Sequence, residues 1–218
     1  SPMERVALLV NVAAGAQDMR MIDARRHAID RLADIVVTHG SQNSFNWFDV
    51  AEMYESVGDA AGGARMMRHA EKRIAELPSY NAYRFCFNIA RRYASLGYPD
   101  DARRLWRRSA DIILSRPLPQ NAPAGLENEH IRDEIDAYNL ACALAMAGEP
   151  EAALDALEQA VDLGYADDTH TENDTDLDSI RSYDRYFELL DRMETMRRER
   201  EDAASEDQGL RQPRFDRR

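Results

Sequence analysis

At 218 residues the chain is long enough to bury a sizeable core in one or two domains. A formal net charge of −12 argues against wrapping nucleic acid through phosphate contacts and against docking on an anionic membrane surface. With 10 glycines and 8 prolines, collagen-like and low-complexity classes fall away. No apolar run reaches the roughly 20 residues that a membrane span requires; 6–16 comes nearest and is broken by Asn11. Cys86 and Cys142 stand among apolar neighbours in helical patterns without metal-ligand spacing, which reads as two reduced core thiols. The chain begins Ser1-Pro2-Met3, the look of a processed or cloned terminus. A cytoplasmic location is expected, with a periplasmic one left open.

In chain order the apolar spacing predicts helices throughout and no strand alternation, so the class is all-α. Val6, Leu9, Val10 and Ala13, then Ile22, Ala28, Ile29, Leu32, Ile35 and Val36, mark a helical pair over 1–40. A second pair over about 44–77 carries Phe45, Phe48, Val50, Ala51 and Tyr54, then Ala60, Ala64, Met67, Ala70 and Ile74. The third, over about 79–115, carries Phe85, Ile89, Ala90, Tyr93 and Leu96, then Ala102, Leu105, Trp106, Ile112 and Ile113. A Pro-rich surface insertion at about 116–128 follows. The fourth pair, Glu134–Tyr165, turns at Gly148-Glu149-Pro150, with glycine suited to a helix end and proline to a helix start.

The last three pairs share a register. Seven residues before Gly58, Gly97 and Gly148 stands a small residue (Ala51, Ala90, Ala141), and four before stands a large one (Tyr54, Tyr93, Leu144). Five after comes Gly63, Ala102 or Ala153; nine after, Met67, Trp106 or Leu157; twelve after, Ala70, Ser109 or Ala160. Close helix crossings need small residues where backbones meet and large ones where gaps must be filled. Six matched positions in three copies identify repeats.

This pattern resembles the tetratricopeptide repeat over 41–165. Its glycines are 39 and then 51 residues apart, where the family has about 34. The first excess suggests second helices longer by a turn, and the second requires the insertion as well. Residues 1–40 read as a degenerate pair. Asp176-Leu177-Asp178-Ser179-Ile180-Arg181 and Asp184-Arg185-Tyr186-Phe187-Glu188-Leu189-Leu190 are similar to a closing segment of bacterial tetratricopeptide proteins. That predicts an acidic, helix-poor loop and capping helices over 166–200, covering the last repeat's apolar face. Residues 201–218 are polar and read as a disordered tail. The resemblance implies a right-handed α-solenoid that binds protein in the concave face formed by each pair's first helix.

In that face stand an aromatic ladder, Phe48, Phe87 and Tyr138, and a polar ladder, Asp49, Asn88 and Asn139, with Glu52, Arg91 and Cys142 beside them. They suit a groove for an extended peptide, stacking on rings and hydrogen-bonding to amides. Equally, the rings could pack between neighbouring helices while the amides bond locally. Arg103, Arg104, Arg107 and Arg108 form a basic stripe read as a solvated edge, with Glu71, Glu76, Asp100 and Asp101 as possible pairs. Asp174, Asp176 and Asp178 match the start of an EF-hand loop, but Ser179 replaces the turn glycine and Arg185 the bidentate glutamate, leaving only a looser cation site as a minor alternative. No nucleophile, phosphate loop or metal motif is legible, so the expectation is a scaffold without enzyme activity or cofactor. A regulatory or docking module cut from a larger bacterial enzyme or signalling protein, a self-assembling oligomer, and an enzyme with a spatially assembled site are the alternatives.

Overall fold

The computed structural model describes residues 22–39, 46–115 and 133–211. Among the described residues four glycines set where the chain turns. Gly58, Gly97, Gly148 and Gly164 have φ of 72, 82, 85 and 109°, the left-handed region that other L-residues enter only with strain. Each makes the same two bonds. The glycine N–H donates to the carbonyl three residues back, and the next N–H donates to the carbonyl five back, as from Gly148 to Ala145 at 3.1 Å and from Glu149 to Leu144 at 3.0 Å. This is the Schellman stop, and it closes a helix with its last carbonyls satisfied.

The elements are α1 (Ile22–His39), α2 (Trp47–Ser56), α3 (Ala60–Glu71), a 3-10 turn (Ile74–Glu76), α4 (Ser79–Ser95), α5 (Pro99–Leu114), α6 (Glu134–Ala147), α7 (Pro150–Asp162), α8 (Asp168–Asn173), a second 3-10 turn (Thr175–Ile180) and α9 (Asp184–Arg211). No strand occurs among the described residues. The all-α class and the tetratricopeptide-like helical hairpins are therefore present. The chain forms two units, 1–109 and 110–218.

In the first unit, Asn46 starts α2 with a capping box. Its side chain accepts from the Phe48 and Asp49 N–H groups at 2.8 and 3.3 Å, and the Asp49 carboxylate accepts from the Asn46 N–H at 2.9 Å. Asp59 caps α3 by accepting from the Gly62 N–H at 2.7 Å. Where α3 meets α2 there is no room for a side chain: a Cβ on Gly62 would lie 2.4 Å from the Tyr54 ring, and one on Gly63 would lie 3.3 Å from the Ala51 carbonyl oxygen and 2.7 Å from the Leu96 side chain at the end of α4. The register residues quoted on either side of Gly58 and Gly97 are all buried, including Ser109, whose hydroxyl donates to the Tyr83 carbonyl at 3.0 Å.

In the second unit, α6 is apolar on nearly all sides and buried from Asp136 to Leu144 except at half-buried Asn139, as expected of a helix surrounded by others. α7 packs antiparallel on it. The second 3-10 turn lies on α6 and α7, burying Leu177 and Ile180, and α9 lies across α7 and α8. A row of ion pairs fastens α9: Arg185 to Asp155 at 2.7 Å and to Glu158, Arg192 to Asp162 at 2.6 Å, and Arg197 to Asp168 at 2.6 Å.

Three expectations change. The excess between Gly58 and Gly97 is not a lengthened second helix, because α3 has only 12 residues. It is taken up by the 3-10 turn and by α4, which has 17. The acidic stretch after Tyr165 contains a helix, α8, because Asp167 caps it through the His170 N–H at 2.9 Å and Thr171 is buried against Met193. The tail beyond 200 is helical to Arg211, supported by four-residue charge pairs such as Arg197 with Glu201 at 3.1 Å. The first helix of the 1–40 pair and the insertion at 116–128 lie outside the described residues, as do 212–218.

Candidate functional site

Between successive pairs of the first unit a tyrosine reaches back to a carboxylate. The Tyr54 hydroxyl donates to Asp30 of α1 at 2.7 Å, and the Tyr93 hydroxyl donates to Glu71 of α3 at 2.8 Å. Seven residues after each turn glycine an arginine joins the link. Arg65 lies over the Tyr54 ring at 5.5 Å, and Arg104 holds Glu71 with two bonds of 2.9 and 3.0 Å. Arg104, expected on a solvated edge, is thus part of a junction, while Arg103 makes only an exposed pair with Asp100 among its described bonds. Burial, together with the accepting carboxylate, raises the hydroxyl pKa of both tyrosines well above the ordinary value.

The residues expected to bind a partner separate into four groups. Asp49 is occupied by the α2 cap. Half-buried Phe48 meets Phe85 edge-on at 5.6 Å, and half-buried Phe87 carries the Arg91 guanidinium over its face at 5.0 Å. Asn88 and Arg91 are exposed, as is Glu52, which pairs with Arg92 at 3.3 Å. In the third copy the equivalent face is covered. Tyr138 is 5% exposed, its ring stacked on Tyr165 at 4.4 Å and 20°, its hydroxyl donating to Asp174 at 2.8 Å. Half-buried Asn139 lies beside it in sequence.

Cys142 joins this buried knot, its thiol 3.6 Å from Asp174. Its sulfur and the carboxylates of Asp174 and Asp176 lie within 4.8 Å of one another. Asp174 is already engaged by the Tyr138 hydroxyl and by the Asp176 N–H at 3.0 Å, so the group reads as the anchor of the closing segment. Asp178, third in the loop pattern, pairs instead with Arg181 at 2.9 Å. Burial raises the Cys86 thiol to about 11 and the Cys142 thiol well above its ordinary range. Both should therefore resist Ellman's reagent at pH 8 in the folded protein and react within seconds in 8 M urea (~8 M being strongly denaturing). Fast labelling without urea would contradict the burial.

The Arg104–Glu71 pair was among those expected from sequence, whereas the tyrosine links, which join residues 22 and 24 positions apart, were not legible. The arginine seven residues after the first two turn glycines was the available signal.

No protein-family model matches the chain, and no curated protein sequence does. Among solved structures, one of a Podosopora anserina protein described as a kinesin light chain with nearly identical TPR-like repeats is similar at 14% identity and a TM-score of 0.47, covering 90% of this chain and 95% of the other. Its Q17M form gives 14% and 0.46, covering 91% and 95%. It is the recurrence of one glycine turn and one buried register within this chain that carries its tetratricopeptide-like character.

Proposed function

We propose that the chain is a non-enzymatic scaffold that holds a segment of a partner protein against the first-helix face of its first unit. One observation supports this most. The register positions that pack the repeats are all buried, whereas Phe48, Phe87, Asn88 and Arg91 keep ring, amide and guanidinium at the surface in two successive copies. Such a mixture suits an extended peptide, which needs both apolar contact and hydrogen bonds along its length.

Tyr138 has a different part. Its stacking and its bond to Asp174 hold the closing segment, so it supports the end of the array and does not meet a partner. The test is capture from native lysate by the wild type and by the double variant Phe48→Ala, Phe87→Ala. The double variant should lose at least tenfold in captured partner while its helical circular dichroism is unchanged. Equal capture by both would sink the proposal.

A further inference from the structure

In the second unit, α6 and the closing segment bring four metal-ligating side chains to one place. Cys142 comes from the middle of α6, His170 from α8, Asp174 from the residue that ends α8, and Asp176 from the second 3-10 turn. The Cys142 sulfur and one oxygen from each carboxylate lie within 4.8 Å of one another. His170 Nε2 stands 3.8 Å from Asp174 Oδ2, the oxygen that faces the Cys142 sulfur at 3.6 Å. Cys142 and Asp176 are 4% and 7% exposed, whereas His170 opens to solvent at the mouth of the group.

The separations are those of ligands around an ion. With sulfur at ~2.3 Å and nitrogen or oxygen at ~2.0 Å from a tetrahedral zinc, neighbouring donors stand about 3.3–3.5 Å apart. A hydrogen bond from a histidine nitrogen to a carboxylate spans about 2.7–3.2 Å, so the 3.8 Å at His170 is too wide for one and nearer a ligand edge. The four-residue step from His170 to Asp174 is the one by which a helix presents two ligands together. The donor types then select the ion. Thiolate, imidazole and carboxylate suit zinc, whereas calcium and magnesium take oxygen alone. Around Asp174 the supporting contacts are in place: the Tyr138 hydroxyl donates to Oδ2 at 2.8 Å and the Asp176 N–H to Oδ1 at 3.0 Å, fixing the carboxylate's orientation.

We propose that Cys142, His170, Asp174 and Asp176 bind one divalent ion of the zinc type, which ties the closing segment to α6. On binding, the Cys142 thiol proton leaves to solvent and the sulfur bonds the ion as thiolate, while His170 binds as neutral imidazole. The ion also offsets the repulsion between two carboxylates held side by side.

The test titrates the full chain, treated with a chelator and kept reduced, with Co2+ as a spectroscopic stand-in for zinc. Zn2+ is then titrated in competition with a chromogenic chelator. One equivalent of Co2+ should give a near-ultraviolet sulfur-to-cobalt charge-transfer band and the visible bands of a four-coordinate ion, and Zn2+ should abolish both. Cys142→Ser should lose the charge-transfer band. His170→Ala, at an exposed position, should weaken zinc binding about tenfold or more with the core untouched. Asp176→Asn should do likewise, with circular dichroism as the check on folding. Cys86→Ala, in the first unit, should keep the wild-type spectrum. Absence of a saturable band, or a band that survives in Cys142→Ser, overturns the site. Equal zinc affinity in His170→Ala and the wild type overturns it as well.

Discussion

Truncating Leu177 to alanine should cost the second unit about 2–5 kcal/mol, the usual range for removing a fully buried leucine. Leu177 has no exposed surface and sits on the 3-10 turn that lies against α6 and α7. The turn is short, and its anchors are Leu177, Ile180 and the Ser179 hydroxyl, which donates to the Ala145 carbonyl at 3.0 Å. Removing the leucine takes away one of its two fully buried side chains. Urea unfolding followed by circular dichroism measures the loss, and Leu177→Ile should keep most of the stability. Thiol labelling adds a local readout, because the same segment covers Cys142 but not Cys86. In Leu177→Ala, Cys142 should become reactive at urea concentrations where Cys86 is still protected. A loss below about 0.5 kcal/mol, the scale of a surface substitution, would show that the closing segment is not a packed part of the unit.

Gly62→Ala should destabilise the first unit by about 1–3 kcal/mol, the cost of overpacking. The sign is the informative part. In an ordinary helix interior alanine is favoured over glycine by roughly 0.5–1 kcal/mol. Here the added methyl would stand 2.4, 2.7 and 2.8 Å from three atoms of the Tyr54 ring. That ring has no easy retreat, being 1% exposed with its hydroxyl bonded to Asp30 at 2.7 Å. Gly58→Ala separates steric cost from backbone strain, since nothing lies within 4 Å of its added Cβ while its φ is 72°. It should lose about 1–2 kcal/mol through the left-handed backbone alone. Thermal melts of the two variants decide the matter, and a raised melting temperature for Gly62→Ala would refute the close crossing.

The repeats were legible because their constraints are local in sequence. A left-handed turn demands glycine, and a helix crossing demands small residues at fixed steps from it. Both leave a mark within a dozen positions of Gly58, Gly97 or Gly148. The Gly164 turn escaped notice because no second helix at the family's spacing follows it. Of the side-chain links between pairs only the Arg104–Glu71 charge pair was foreseen. A tyrosine four residues before a glycine looks like core, so its hydroxyl bond left no mark. Only the fold brings Tyr93, Glu71 and Arg104 to one point.

The ladder was half legible. Register places Phe87 and Tyr138 on equivalent positions, yet what covers one and not the other is set by the segment downstream. That segment is polar enough to pass for a loop, although Thr171 and Asp176 are buried in it. The α9 extension to Arg211 was missed because composition alone reads as solvated, whereas propensity and alternating charge sustain a helix there.

The position seven residues after each turn glycine gives the array a direction. In the first two copies it is an arginine, Arg65 or Arg104, beside a tyrosine that binds a carboxylate of the preceding pair. In the last copy the tyrosine is Leu144 and the arginine is Asp155, which receives Arg185 of α9. The same site has reversed its charge and the side to which it binds. Hairpins of this chain are therefore not interchangeable modules. A shortened version that joined α9 directly after the Gly97 hairpin would set Arg185 against Arg104, two cations where the native end pairs opposite charges. An engineer who wished to lengthen or shorten the array would have to carry Asp155 along with the closing helix.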